Sequence, residues 1–170
     1  FRSEVRAFLT AQWQPGERRG SELKDYVRDF RRKGVEAGYL YRAIPRAYGG
    51  SEQPVDVIKA QVIREEFGRA RAPMELGGNG VNMTVPTLLE RGTQEQKDLF
   101  IRKTIEGEYI WGQGYSEPGS GSDLASVRTR AELSADGTKW IVNGQKIWTS
   151  QGMQSTHMFM LVRTEPDAPK

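Results

Sequence analysis

This sequence predicts an α+β protein, mainly helical over its first hundred or so residues and built of strands thereafter, with the change near Gly107. Three observations carry that reading. Apolar residues recur at helical spacing as far as Ile105, they alternate with a period of two from Tyr109 onward, and Asp136-Gly137 and Asn143-Gly144 punctuate the second part as tight-turn signals.

Phe1, Val5, Phe8, Leu9 and Trp13 form one stripe of an amphipathic helix that Pro15-Gly16 ends. Leu23, Tyr26, Val27 and Phe30 repeat the pattern up to Gly34. A third helix is expected to open near Pro54, a residue suited to a first helical turn, and to bury Val55, Ile58, Val62 and Phe67. Gly77-Gly78-Asn79-Gly80 breaks the chain before Val81, Met83, Val85, Leu88 and Leu89, which predict another buried helix despite Pro86. Thr93 and Gln96 form a capping box for a helix through Leu99, Phe100 and Ile105.

The strands follow. Tyr109, Trp111, Gln113 and Tyr115 alternate with Ile110, Gly112, Gly114 and Ser116, as in a strand with one close-packed face. Val127, Thr129, Ala131 and Leu133 alternate with charged residues, a strand with one wet face. A short strand over Lys139 to Val142 lies between the two turn signals, and another spans Met158 to Arg163.

Composition narrows the function. The 170 residues suffice for a core without metals or disulfides, and no cysteine is present, which removes thiolate nucleophiles and cysteine-based zinc sites. The net charge of +3 clusters only at Arg18-Arg19 and Arg31-Arg32-Lys33, short runs that read as solvated helix surface and argue against nucleic-acid binding. A mildly basic surface suits an anionic ligand. No apolar run approaches the length of a transmembrane helix.

The chemistry concentrates between Trp111 and Ser150. In YSEPGSGSD, Tyr115 to Asp123, the hydroxyls of Ser116, Ser120 and Ser122 stand among Pro118, Gly119 and Gly121, so hydroxyls and bare N–H groups can converge on something anionic. A P-loop is absent, and Gly119-Ser120-Gly121 lacks the third glycine and following helix of a Rossmann site. A surface turn is the plain alternative for this loop, and core packing the plain alternative for Trp148. Glu117 and Asp123 are expected to hold the loop by hydrogen bonds and not to act as an acid–base pair. Lys146 reads as a solvated or ion-paired lysine. His157, the only histidine, has no metal-ligand or triad partners and reads as structural.

Ser116-Glu117-Pro118, Gly121-Ser122-Asp123, Asn143-Gly144-Gln145-Lys146, Trp148 and Ser150 occur in the order and spacing of the acyl-CoA dehydrogenase flavoproteins, which the chain resembles. Ala43-Ile44-Pro45, Tyr48-Gly49-Gly50, Glu65-Glu66-Phe67 and Gly92 to Lys97 extend the resemblance to the N-terminal part.

The resemblance implies an N-terminal all-α domain over residues 1–107 and the start of an antiparallel β-barrel middle domain over 108–170, with the C-terminal helical domain outside this chain. The chain opens inside an apparent helix and stops after Arg163-Thr164-Glu165-Pro166, and is therefore read as a piece of a longer protein. The catalytic base of the family, a glutamate of the C-terminal domain, has no counterpart here, so no catalytic residue and no metal ligand is assigned in this chain.

The resemblance further implies FAD as cofactor, oxidation of an acyl-CoA thioester to the α,β-enoyl-CoA, an electron-transfer flavoprotein as electron acceptor, a homo-oligomer (tetramer or dimer), and a cytoplasmic, bacterial-type location rather than the mitochondrial matrix. The implied FAD contacts are Gln113, Tyr115, Ser116, Gly121, Ser122, Trp148, Thr149 and Ser150. Trp148 would cover a flavin face, Ser116 and Ser150 would place donors near the ring edge, and Ser122 would meet both cofactor phosphates and substrate. Gln113 stands where many members carry an aromatic residue, and Ser150 where many carry threonine. Two other readings share this sequence. One is an acyl-CoA oxidase or flavin monooxygenase of the same fold, and the other is a non-catalytic partner subunit that completes another subunit's pocket.

Overall fold

The computed structural model describes residues 1–165. In chain order its helices are α1 (Arg2–Gln12), α2 (Gly20–Glu36), α3 (Val57–Arg69), α4 (Val85–Arg91) and α5 (Gln94–Ile105), and its strands are β1 (Trp111–Gly114), β2 (Arg130–Leu133), β3 (Trp140–Asn143) and β4 (His157–Met160). They fall into two compact units: Phe1–Leu76 with Gly92–Glu106, and Gly77–Arg91 with Gly107–Lys170. Helix α4 thus groups with the strands, although it precedes the change of period at Gly107.

The first unit is held by an aromatic cluster. Phe30 of α2 and Phe67 of α3 are essentially inaccessible, and Phe8 of α1 lies 5.7 Å from the first and 6.4 Å from the second, ring centre to ring centre. Burying each such ring is worth about 1.5–3 kcal/mol. Beside them Glu66, 1% exposed, accepts hydrogen bonds from Arg6 Nε at 2.8 Å and Arg2 Nη1 at 2.6 Å, which ties α1 to α3.

That ion cluster corrects the expected face of α3. Pro54 and Val55 precede the helix, which Asp56 caps, and Val55 and Ile58 are 95% and 77% exposed. The buried face is Ile63, Glu66 and Phe67, because the two arginines of α1 draw Glu66 inward and the face centres on it. Helix α2 runs past Gly34, whose bare Cα leaves room for the Leu40 side chain against it. Helix α5 begins with the expected capping box: Thr93 accepts from the Gln96 amide, and Gln96 accepts from the Thr93 amide.

In the second unit the helix expected around Pro86 is divided. Gly80–Thr84 forms a single π-helical turn, in which the Val85 amide reaches back to Gly80 O, and α4 follows. The wider turn admits Pro86, which has no amide to give. β1, β2 and β4 are shorter than their alternation predicts, β3 keeps its length one residue further on, and the four form two pairs. β2 and β3 pair antiparallel around the Asp136-Gly137 turn.

β1 and β4 pair in parallel, Trp111 opposite His157, which departs from the all-antiparallel arrangement expected. The path of the chain explains it. After β3 the chain returns antiparallel to 113–116, with Ile147 N bonded to Ser116 O and Gln113 N to Ser150 O. It then reverses again through a turn closed by Gly152 N to Thr149 O and Ser155 N to Gln151 O, and enters β4 in the direction of β1. Asn143-Gly144 accordingly makes no hairpin. Gly144 is needed because a Cβ there would lie 2.7 Å from the Thr129 Cα, at a φ of +155°. Arg163 joins the two pairs, its amide bonded to Thr129 O and its carbonyl to Ala131 N.

Candidate cofactor site

Tyr115 to Asp123 folds on itself. Glu117 and Ser120 exchange backbone hydrogen bonds of 2.8 and 3.1 Å across Pro118-Gly119, and Ser120 Oγ donates to Asp123 O at 2.8 Å. Ser120 is therefore buried structure, whereas Gly121 and Ser122 stand exposed at the loop's end. A Cβ added at Gly121 would meet no atom within 4 Å, so the loop surface is open to a ligand there.

Glu117 anchors the loop from beneath. Its carboxylate accepts from Arg128 N at 2.6 Å, Thr129 N at 2.9 Å and Lys146 Nζ at 2.8 Å, and both side chains of the ion pair are 7% exposed. Burial pushes this carboxyl up, but the hydrogen bonds from Lys146, Thr129 and the Arg128 amide prevail and hold it at about 2. Glu117 and Lys146 are thus a fixed pair, with neither placed for proton transfer or nucleophilic attack. Lys146 Nζ also donates to Tyr115 O at 3.0 Å, so one lysine fastens its own segment to the loop. Asp123 serves through its carbonyl, which accepts from Ser120 Oγ, Ser126 Oγ and Ser126 N.

The run from Lys146 to Gln151 carries an exposed ring and a set of unpaired amides. Trp148 lies outside every strand, 85% exposed, with φ at +54°, which removes the core reading for its ring. Gln151 also has a positive φ, +64°. Among the described residues, the amides of Trp148, Thr149, Ser150 and Gln151 have no acceptor, while the carbonyls of Thr149, Ser150 and Gln151 all accept. A row of bare N–H groups beside an exposed aromatic face is a donor set for the hydrogen-bonding edge of a flat heteroaromatic ring.

The pairing of 113–116 with 147–150 brings Gln113, Tyr115 and Ser116 against Trp148, Thr149 and Ser150. Tyr115 packs its ring on Phe159 of β4 at 5.7 Å, and its hydroxyl pKa is raised by burial. Among the described residues no hydrogen bond ties Gly121 or Ser122 to this run. His157 opens β4 with its ring 4.1 Å from that of Tyr109 and 5.1 Å from that of Trp111, a structural place. No group of three His, Cys, Asp or Glu able to hold a metal occurs among the described residues.

Two residues escape a reading from sequence. Asn79, seen there only as part of a glycine-rich break, reaches Trp111 O at 3.3 Å and Ser150 O at 3.4 Å. Gln151 carries the last bare amide of the row. The signal that could have found Asn79 is an amide residue set between glycines, at a place where the backbone passes close.

Comparison with known proteins identifies the family and the fold. The family description "acyl-CoA dehydrogenase, N-terminal domain" matches residues 1–108, and "acyl-CoA dehydrogenase, middle domain" matches 112–170. The chain is 36% identical to acyl-CoA dehydrogenase IpdE1 of Mycobacterium tuberculosis, over 97% of its own length and 44% of the relative's. It therefore spans less than half the length of that relative. Its fold is similar to the ChsE4-ChsE5 complex of the same organism, with a TM-score of 0.64 and 32% identity, over 97% of this chain and 42% of that one. It is also similar to an acyl-CoA dehydrogenase complexed with FAD from Bacillus anthracis, with a TM-score of 0.55 and 25% identity, over 96% of this chain and 28% of that one.

Proposed function

Since this chain belongs to the acyl-CoA dehydrogenase family, a flavoprotein family of lipid metabolism, we propose that the protein it is part of oxidises an acyl-CoA thioester to the α,β-enoyl-CoA with FAD as cofactor. The observation that carries the cofactor is the row of bare amides at 148–151 next to the exposed Trp148 ring. Bound FAD supplies the hydride acceptor.

This chain's residues supply the floor of the site. Trp148 covers one face of the ring, and the amides and hydroxyls of Thr149, Ser150 and Ser116 meet its edge. Gln113 and Tyr115 contribute from β1 and the residue after it. Gly121 and Ser122, open at the loop tip, approach the cofactor phosphates, and Ser122 also meets the acyl-CoA. No base for the α-proton is placed in this chain. That role falls to a glutamate in the part of the protein that its relatives have and this chain does not span.

The reading includes an electron-transfer flavoprotein as acceptor and an oligomer of two or four chains. The similarity to a two-component complex supports the oligomer. A bacterial cytoplasmic location is supported by the mycobacterial relatives, and no described helix is long and apolar enough to cross a membrane.

An absorption spectrum of the full-length protein tests this, followed by anaerobic titration with straight-chain, branched and steroid acyl-CoAs. Flavin bands that bleach with one class support the reading and name the substrate. A protein that stays colourless after incubation with FAD overturns it.

A further inference from the structure

The bare amides of 148–151 are of use only if their peptide planes are held in one orientation, and those planes belong to an irregular run with two non-glycine residues at positive φ. Such a conformation persists only where its surroundings over-determine it. The backbone ties are Ile147 N to Ser116 O, Gln113 N to Ser150 O, Gly152 N to Thr149 O, and Gln154 N and Ser155 N to Gln151 O, with Lys146 Nζ to Tyr115 O beside them. A further tie is a side chain from another element. Asn79, at the start of the π-helical turn Gly80–Thr84, reaches both Trp111 O and Ser150 O. Both partners are carbonyl oxygens, so only the NH₂ end of the amide can face them.

The consequence lies one bond further on. In a trans peptide the C=O and the following N–H point in opposite directions. Fixing Ser150 O inward with two donors, Gln113 N and Asn79 Nδ2, therefore turns the Gln151 N–H outward, where among the described residues it has no acceptor. The neighbouring glycine fits the same purpose. A Cβ on Gly78, at φ +92°, would come 3.3 Å from the Gln151 side-chain oxygen, so the glycine lets the π-turn segment approach this residue closely.

We propose that Asn79 is a positioning residue of the flavin site: it sets the Ser150–Gln151 peptide plane, and so aims the Gln151 N–H at the edge of the bound ring. This rests on the function proposed above. Asn79 touches neither cofactor nor substrate, and it acts through the 148–151 backbone.

The test uses the full-length protein with FAD and the acyl-CoA that bleaches it. Asn79→Ala removes the donor, and Asn79→Asp removes it with almost no change of shape. Both are expected to lower kcat about 10-fold, with KM within about twofold because Ser122 is untouched, and to shift the flavin absorption maxima and reduction midpoint. Asn79→Gln, which keeps the donor, is expected to recover part of the rate. Unchanged spectrum, midpoint and kcat in both variants would overturn the proposal. So would loss of thermal stability with the flavin spectrum intact, since that marks a merely structural amide. If Asn79→Ala does not fold, Asn79→Asp decides alone, and failure of both to fold counts as the structural outcome. A wild-type protein that takes up no FAD overturns the functional reading and this one together, whereas flavin binding with unaltered variants removes only the role of Asn79.

Discussion

Glu117 uses its hydrogen-bonding capacity inside the protein, accepting from two amides and from Lys146 in a setting where both charges are nearly buried. Replacing it with glutamine sets an NH₂ against a donor and strands the lysine, so Glu117→Gln is expected to cost about 3 kcal/mol or more in chemical denaturation. The double variant with Lys146→Met should lose less than the sum of the two single changes. The same carboxylate makes the fold acid-sensitive. It ionises at about 2 in the folded protein against 4.5 ordinarily, so its contribution is complete above about pH 4.5 and is lost as pH falls toward 2. Glu66, held at about 2 by Arg6 and Arg2, adds a loss in the same window. Glu117→Gln should flatten the dependence of denaturation midpoint on pH there; an unchanged slope would remove Glu117 from the account.

Glycines give a contrast between two loops, one in each unit. A Cβ on Gly50 would sit 2.0 Å from Ile44 O, whereas one on Gly119 would meet nothing. Gly50→Ala is therefore expected to lower stability by about 2–3 kcal/mol, and Gly119→Ala to stay within about 0.5 kcal/mol, both read from denaturation midpoints.

Among the elements, α5 was the most legible. Its capping box stands in the sequence as Thr93 with Gln96 and in the structure as two reciprocal hydrogen bonds. Thr93→Ala should cost about 1 kcal/mol, seen as a lowered unfolding midpoint. Helix α3 was legible in existence and not in orientation, since its buried face is set by the Arg2 and Arg6 guanidiniums, which hydrophobic periodicity does not count. The β1–β4 pairing was hidden for a related reason. Alternation marks a strand but not its partner, and the parallel arrangement depends on a double reversal through 144–156 that no local pattern encodes. In the candidate site, the Ser-Glu-Pro and Gly-Ser-Asp pieces were visible as a loop, and the structure folds it on itself through Glu117 and Ser120. The bare amide row was not, because φ signs at Trp148 and Gln151 follow from tertiary ties.

For the molecule as a whole, the candidate cofactor residues all lie in the second unit, whose hydrogen bonds span long stretches of sequence. Ile110 and Thr156, which meet at the start of the β1–β4 pair, are 46 residues apart. The first unit's α1 and α3 are likewise joined across the chain, but by ion pairs at a helix surface, with an aromatic cluster behind them.

The parallel β1–β4 pair has a consequence in time. Its closure needs His157–Met160, and the irregular run that would meet the flavin is enclosed within the loop that this closure makes. Contacts so distant in sequence form slowly and late, because the entropy of loop closure is lost before they give anything back. On the ribosome, a nascent chain that had emerged only as far as Ser150 would carry most of the cofactor-facing residues and yet have no ordered place to hold them. The candidate cofactor run is therefore among the last parts of this chain to acquire shape, and it becomes ordered only after β4 has left the exit tunnel.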